Sequence, residues 1–95
     1  MSELPDETPR ARILQRFVVD GRIVSMPAKE SKRLVVLDHC AQLFEPGVRY
    51  PEHEVNAVLG ALHDDVAMLR RYLVDYGLLA REDGGYWRAG GTGEV

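Results

Sequence analysis

Two amphipathic segments, separated by a short polar break, dominate the second half of this 95-residue sequence. Each has apolar residues three or four positions apart: Val55, Val58, Leu59 and Leu62 in the first, and Val66, Leu69, Leu73 and Tyr76 in the second. This spacing places the apolar side chains on one face of a helix. The stretch therefore predicts two helices joined by a tight turn, and any fold for the chain must accommodate that pair.

The residues at the ends of the two segments predict where each helix begins and ends. The first helix is expected over Glu52–Leu62, with Pro51 at a first helical position, where its missing amide proton is not needed. Asp64 is expected to cap the N-terminus of the second helix. Gly77 follows the last apolar position and is expected to take the left-handed conformation that commonly ends a helix.

A β-hairpin is predicted directly after the second helix. Leu78–Arg81 forms its first strand, Asp83–Gly85 its turn and Tyr86–Arg88 its return strand. A helix, a turn, a helix and a hairpin in this order are typical of the second half of a winged helix-turn-helix domain.

The first half of the chain supplies another hairpin and two further helices. Asp20–Gly21, between β-branched residues, favours a type I′ turn because both turn positions need positive φ. A short helix is expected over Ala11–Phe17, and a long one over about Ala28–Phe44, opened by Pro27. One apolar face of the long helix is formed by Leu34, Leu37, Ala41 and Phe44. The sequence thus predicts an α+β fold, a small winged helix-turn-helix-like domain with an N-terminal β-hairpin, three main helices and a C-terminal β-hairpin wing.

Length and composition indicate one small domain over residues 10–88. Residues 1–9 are acidic and contain two prolines, so a disordered lead-in is expected there. Residues 89–95 are rich in glycine and are expected to form a flexible tail.

The single cysteine, Cys40, excludes an internal disulfide and is best explained by core packing. Without a signal-peptide pattern or an apolar run of roughly 20 residues, a cytoplasmic location is expected and a membrane is not a predicted partner.

Charge is distributed unevenly along the chain, whose formal net charge is -3. Arg10–Arg33 holds seven cations and two anions, whereas Leu34–Val66 holds one cation and six anions. The candidate phosphate-binding residues are seven cations: Lys29, Lys32, Arg33, Arg70, Arg71, Arg81 and Arg88. The alternative for each is an ordinary solvated face or a local salt bridge. Trp87 and Arg88 on the return strand are expected either to contact a phosphate backbone or to close the core beneath the wing.

Three features argue against direct base readout, a metal site and catalysis. His63–Asp65 opens the second helix with adjacent carboxylates, which repel phosphates. His53 and His63–Asp65 are the grouped candidates for metal ligands, but no recognised metal-binding spacing is present. His39 and Cys40 are adjacent on a helix and point about 100° apart, so they form no dyad. The chain is therefore not expected to be an enzyme, to bind a metal or to need a cofactor.

Four segments carry a resemblance to a known family: DGRIVSMPAKESKRLVVLDHCAQLFEPGVRY, EVNAVL, HDDVAMLRRYLVDYGLLARE and YWR. Over about Phe17–Arg88 the chain resembles the small prokaryotic domain-of-unknown-function family numbered 2087. Such domains look like winged-helix modules and occur alone or fused behind ArsR-type helix-turn-helix regulators. The resemblance implies a nucleic-acid-binding or regulatory role and implies no catalytic residues.

Two hypotheses for function follow. In the first, the protein is a nucleic-acid-associated winged-helix domain in a transcription-regulatory context, and the seven cations contact phosphates without reading sequence. In the second, it is a protein–protein interaction or dimerisation module that does not bind nucleic acid. Its basic front (Arg10–Arg33) and its acidic middle (Leu34–Val66) then pair with a protein or with a second copy.

Overall fold

The computed structural model describes residues 8–90 of the chain. Within that range lie four helices and five strands: α1 (Pro9–Phe17), β1 (Val18–Val19), β2 (Arg22–Ile23), α2 (Glu30–Ala41), β3 (Arg49–Pro51), α3 (Glu52–Gly60), α4 (Val66–Asp75), β4 (Leu79–Glu82) and β5 (Gly85–Arg88). The α+β class is confirmed. The predictions for the lead-in at residues 1–7 and for the tail at residues 91–95 lie outside the described residues, and Pro9 is the first residue of α1.

The described strands form two antiparallel sheets. β1 pairs with β2, and β3, β5 and β4 form a three-stranded sheet in that order. Both hairpins turn on an Asp–Gly dipeptide with positive φ at each position, 55° and 79° at Asp20–Gly21 and 54° and 78° at Asp83–Gly84. The type I′ turn predicted at the first hairpin is confirmed, and the second is one residue tighter than predicted because Gly85 belongs to β5.

β3 is an element that the sequence did not predict. Its three residues pair with β5, with Arg49 opposite Trp87, Tyr50 opposite Tyr86 and Pro51 opposite Gly85. The predicted helix start at Glu52 is confirmed, but the prediction that Pro51 takes a first helical position was wrong, because Pro51 ends β3 and is the N-cap of α3. A proline is tolerated there since the strand ends at that residue and no further amide proton is required.

All four helices differ in part from the prediction. α1 begins at Pro9 rather than Ala11, and α3 ends at Gly60 rather than Leu62. α2 is shorter at both ends than Ala28–Phe44, and the amides of Leu43 and Phe44 donate to carbonyls three residues earlier, which tightens the chain into a turn after Ala41. At the start of α4 the N-cap is Asp65 rather than Asp64, and its carboxylate accepts from the Met68 amide at 3.1 Å. Gly77 has φ 75°, as predicted for the residue that follows a helix end.

The core lies between α2, α3, α4 and the three-stranded sheet. Its fully buried members with less than 2% exposure include Val36, Leu37, Cys40, Phe44, Val55, Leu59, Leu69, Leu73 and Leu79. Leu34 was predicted to share this core but is 38% exposed, because it lies one turn before the part of α2 that the core covers. Cys40 is buried in the core as predicted. Among the described residues, no helix is long and apolar enough to cross a membrane.

Candidate nucleic-acid interface

A groove of about 770 Å³ lies between α4 and the β4–β5 hairpin. It exists because Leu69 and Leu73 turn one face of α4 into the core, which leaves the opposite face toward the hairpin and solvent. The groove is lined by Asp65, Ala67, Met68, Arg70, Arg71, Tyr72, Val74, Asp75, Arg81 and Tyr86. Three of the seven predicted cations therefore meet at one place although two different elements supply them.

The three groove cations differ in how firmly they are held. Arg70 is half-buried and donates to the side-chain oxygen of Asn56 on α3. The side chain of Arg71 is exposed and makes no hydrogen bond or ion pair within residues 8–90. Arg81 is also exposed, and its guanidinium lies 5.7 Å from the centre of the Tyr86 ring. Arg70 is thus the preorganised cation, whereas Arg71 and Arg81 keep their donors available to a ligand.

Tyr86 forms the base of the hairpin wall. Arg81 and Tyr86 are opposite each other in the β4–β5 register, so their side chains share one face of the sheet. Tyr86 is 2% exposed and its hydroxyl donates to Glu52 Oε1 at 3.2 Å. The aromatic residue of this strand that closes the core is thus Tyr86 and not Trp87, for which that role was one of the two expected; Trp87 is half-buried and points to the opposite face.

Carboxylates also line the groove, Asp65 at the N-terminal end of α4 and Asp75 at its C-terminal end. The Asp65 carboxylate caps the helix, and the Asp65 amide donates to His63 Nδ1 at 2.9 Å. The neighbouring Asp64 accepts from Arg22 Nη2 at 2.8 Å. The two carboxylates at the start of α4 are therefore engaged, Asp65 as the N-cap and Asp64 in an ion pair. The groove cations lie between acidic residues at the two ends of α4.

Arg22 is a residue whose role the sequence did not predict. Besides pairing with Asp64, its Nη1 lies 3.3 Å from the Gly60 carbonyl oxygen and 3.4 Å from that of Ala61. The amide of the next residue, Ile23, donates to the Leu62 carbonyl at 2.8 Å. Together these bonds attach the β1–β2 hairpin to the connection between α3 and α4. The Asp20–Gly21 turn predicted that hairpin but gave no sign of where it docks.

Arg33 lies outside the groove lining and is bound to the protein itself. Its guanidinium donates to the carbonyls of Pro27 and Ala28 and to the Tyr76 hydroxyl, and it lies 5.3 Å from the centre of the Tyr72 ring. The hydrogen bond with Tyr76 raises the pKa of Arg33 above its ordinary value. The buried Nε has no hydrogen-bond partner among the described residues. Arg33 thus joins the start of α2 to the end of α4.

The remaining predicted cations are also outside the groove lining. Lys29 and Lys32 are exposed at the start of α2, where Lys29 is an N-cap without a side-chain hydrogen bond. Arg88 is half-buried and directs its guanidinium toward the carbonyls of Gly90, at 3.3 Å, and Phe44, at 3.4 Å. The two lysines therefore form a separate exposed pair, and Arg88 contributes to holding the end of β5.

The described part of the chain brings no three His, Cys, Asp or Glu side chains together in a way that could hold a metal ion. Burial raises the pKa of the Cys40 thiol to about 12, so this sulfur is protonated at neutral pH. Burial, together with the positive charge of Arg10, lowers the pKa of the neighbouring His39. This pair packs within the protein and is separate from the groove.

Comparison with known proteins identifies one family. Residues 22–88 match the family described as "Uncharacterized protein conserved in bacteria (DUF2087)", and the chain belongs to that family. No curated protein and no solved structure matches the chain. The matched range begins at Arg22 and includes all the residues that line the groove.

Proposed function

We propose that this protein, as a member of that family, is a winged helix-turn-helix domain that binds nucleic-acid phosphates in a transcription-regulatory context. The observation that carries the proposal is the groove between α4 and the β4–β5 hairpin, with Arg70 and Arg71 on one wall and Arg81 on the other. A phosphate chain lying along this groove can accept hydrogen bonds from both walls at once.

The order of the elements supports the winged-helix part of the proposal. α2, β3, α3, α4 and the β4–β5 hairpin follow one another, and β3 pairs with β5 so that the hairpin projects beside α4. In such an arrangement α4 takes the place of a recognition helix and the hairpin that of a wing.

The carboxylates determine which kind of contact is proposed. The start of α4 presents Asp64 and Asp65, whereas a helix that reads bases in the major groove needs donors near its N-terminus. The central cations suit phosphates better than base edges. We therefore assign the groove to positioning on a nucleic-acid backbone, with Lys29 and Lys32 as a second, separate phosphate contact.

The test is fluorescence anisotropy of the protein with random duplex DNA, single-stranded DNA and structured RNA at low salt, where electrostatic attraction is strongest. The variant Arg71→Gln/Arg81→Gln removes two groove cations. The matched control is Arg12→Gln/Arg16→Gln, which removes two exposed cations of α1 and gives the same change in net charge. Weaker binding by the groove variant than by the control supports the proposal. Absence of binding by the natural sequence to all three nucleic acids contradicts it.

An interaction or dimerisation module is the alternative proposal, and the charge pattern supports it less than the sequence suggested. Some charges of the basic front and the acidic middle are already neutralised within the chain. Arg10 forms an ion pair with Asp38, and Arg22 forms one with Asp64, each at 2.8 Å. The exposed valines of the first hairpin region, Val19 at 45% and Val24 at 59%, remain as an apolar surface. Sedimentation velocity across a concentration series tests self-association, and a monomer throughout contradicts the homodimer form of the alternative.

A further inference from the structure

The side chain of Arg49 spans the whole three-stranded sheet. Arg49 begins β3, yet its Nη2 donates to the main-chain oxygen of Glu82 at the far end of β4. Because β5 lies between these strands, the side chain must cross it. The guanidinium also lies 5.0 Å from the centre of the Trp87 ring, which holds it against the sheet.

Gly85 makes this crossing possible. A Cβ placed on Gly85 would overlap Nε of Arg49 and lie 3.0 Å from its Cζ and Nη2. Gly85 has no positive φ, so its backbone accepts other residues and the need for glycine comes from the arginine above it. Because Gly85 has no side chain, the Arg49 side chain can extend from β3 across β5 to β4.

The Arg49 side chain crosses β5 near the end of the backbone pairing between β3 and β5. β3 contributes only three residues, and its last, Pro51, opposite Gly85, has no amide proton to donate. The bond from Arg49 to Glu82 therefore ties the turn end of the hairpin to β3. That same hairpin carries Arg81, the cation on the second wall of the groove.

Arg49 is on the wrong face to enter the groove. It is opposite Trp87, whereas Arg81 is opposite Tyr86, and neighbouring residues of β5 point to opposite faces. Any effect of Arg49 on a ligand in the groove must therefore pass through the position of the hairpin.

We propose that Arg49, lying over Gly85, is a positioning residue that holds the β4–β5 hairpin at the distance from α4 at which Arg81 and the α4 arginines contact the same phosphate chain. This inference rests on the proposed function. It gives Arg49 and Gly85 an indirect role in ligand binding, because neither residue lines the groove.

The first test uses Gly85→Ala, which displaces the Arg49 side chain but changes no charge. Its matched control is Gly60→Ala, where the new Cβ would meet Val66 Cγ2 at an ordinary 3.7 Å. With the nucleic acid that binds the natural sequence best, we expect Gly85→Ala to weaken binding about as much as Arg81→Gln, and Gly60→Ala to leave it unchanged. Equal binding by the two alanine variants overturns the inference.

The second test covers the case in which Gly85→Ala does not fold, and separates positioning from direct contact. Arg49→Met introduces no clash, and we compare it with Arg81→Gln and with the double variant by the slope of binding against salt. If Arg49 acts through Arg81, each single variant reduces the magnitude of the slope on duplex DNA by about 0.9, and the double variant reduces it no further. A fall of about 1.8 in the double variant would mean that Arg49 binds its own phosphate, and no change in the Arg49→Met variant would mean that it positions nothing. If the natural sequence binds no nucleic acid, the proposed function itself fails. If it binds and Arg49→Met leaves the slope unchanged, only the inference about Arg49 fails.

Discussion

The dependence of binding on salt tests how many of the seven predicted cations contact phosphates. Each phosphate neutralised on duplex DNA adds about 0.9 to the magnitude of the slope of log K against log salt. If only the groove cations Arg70, Arg71 and Arg81 are engaged, the expected slope is about -2.7. If all seven are engaged, it is about -6.3. We expect a slope smaller in magnitude than the value for seven contacts, because Arg33 and Arg88 already donate to the protein itself.

These slopes correspond to very different losses of affinity. Between about 50 mM and about 200 mM salt, a slope of -2.7 lowers the binding constant about 40-fold, whereas -6.3 lowers it about 6,000-fold. Engagement of Lys29 and Lys32 as well as the groove gives an intermediate slope of about -4.5. In the variant Arg71→Gln/Arg81→Gln the groove contribution falls to about -0.9, which is a loss of only about 3.5-fold over the same range.

The measurement is an anisotropy titration of one fluorescent duplex at four or five salt concentrations, for the natural sequence and for variants that keep the fold by circular dichroism. Lys29→Gln/Lys32→Gln serves as the matched pair for the groove variant because both remove two positive charges. A slope near -6, or a lysine variant that removes as much slope as the groove variant, would refute the reasoning that the groove is the main phosphate site.

Three further predictions concern the folded protein. Because its pKa is raised to about 12 by burial, Cys40 should react with a thiol reagent at neutral pH only at the rate of unfolding, and fast labelling under native conditions would contradict this burial. Burial lowers the pKa of His39, so the unfolded chain binds more protons below the ordinary value of 6.5. Thermal stability should therefore decrease as the pH falls through that value, and His39→Gln should reduce the decrease. Arg22→Ala should lower stability more than Asp64→Ala, because Arg22 also bonds the Gly60 and Ala61 carbonyls, and a double-mutant cycle by urea denaturation should give a coupling below about 1 kcal/mol for this exposed pair.

Elements with a strong local pattern were predictable from the sequence. The apolar spacing predicted α3 and α4, and the Asp–Gly dipeptides predicted both hairpins. β3 was missed because three residues are too few to show alternation and because Pro51 suggested a helix start. Its existence depends on pairing with β5, more than thirty residues later in the chain.

The site was less predictable than the fold because it depends on distant contacts. Arg33 and Arg70 look equally available in the sequence, but the structure pairs Arg33 with Tyr76, 43 positions away, and Arg70 with Asn56. Arg22 and Asp64 are 42 positions apart and form an ion pair that no local pattern indicates. Likewise, nothing near Gly85 shows that an arginine from another strand crosses it.

The order of the three-stranded sheet has a consequence for solubility. In the described part of the chain β3 and β4 have no strand on their outer sides, so each exposes main-chain groups to which another chain could add a strand. β4 carries the exposed charges Arg81 and Glu82, and β3 carries Arg49 and ends in a proline, features that oppose such edge-to-edge association. Arg81, which supplies positive charge to the groove, thus also helps to protect the edge of the sheet against aggregation. Replacing Arg81 with an apolar residue therefore removes this protection together with the groove cation.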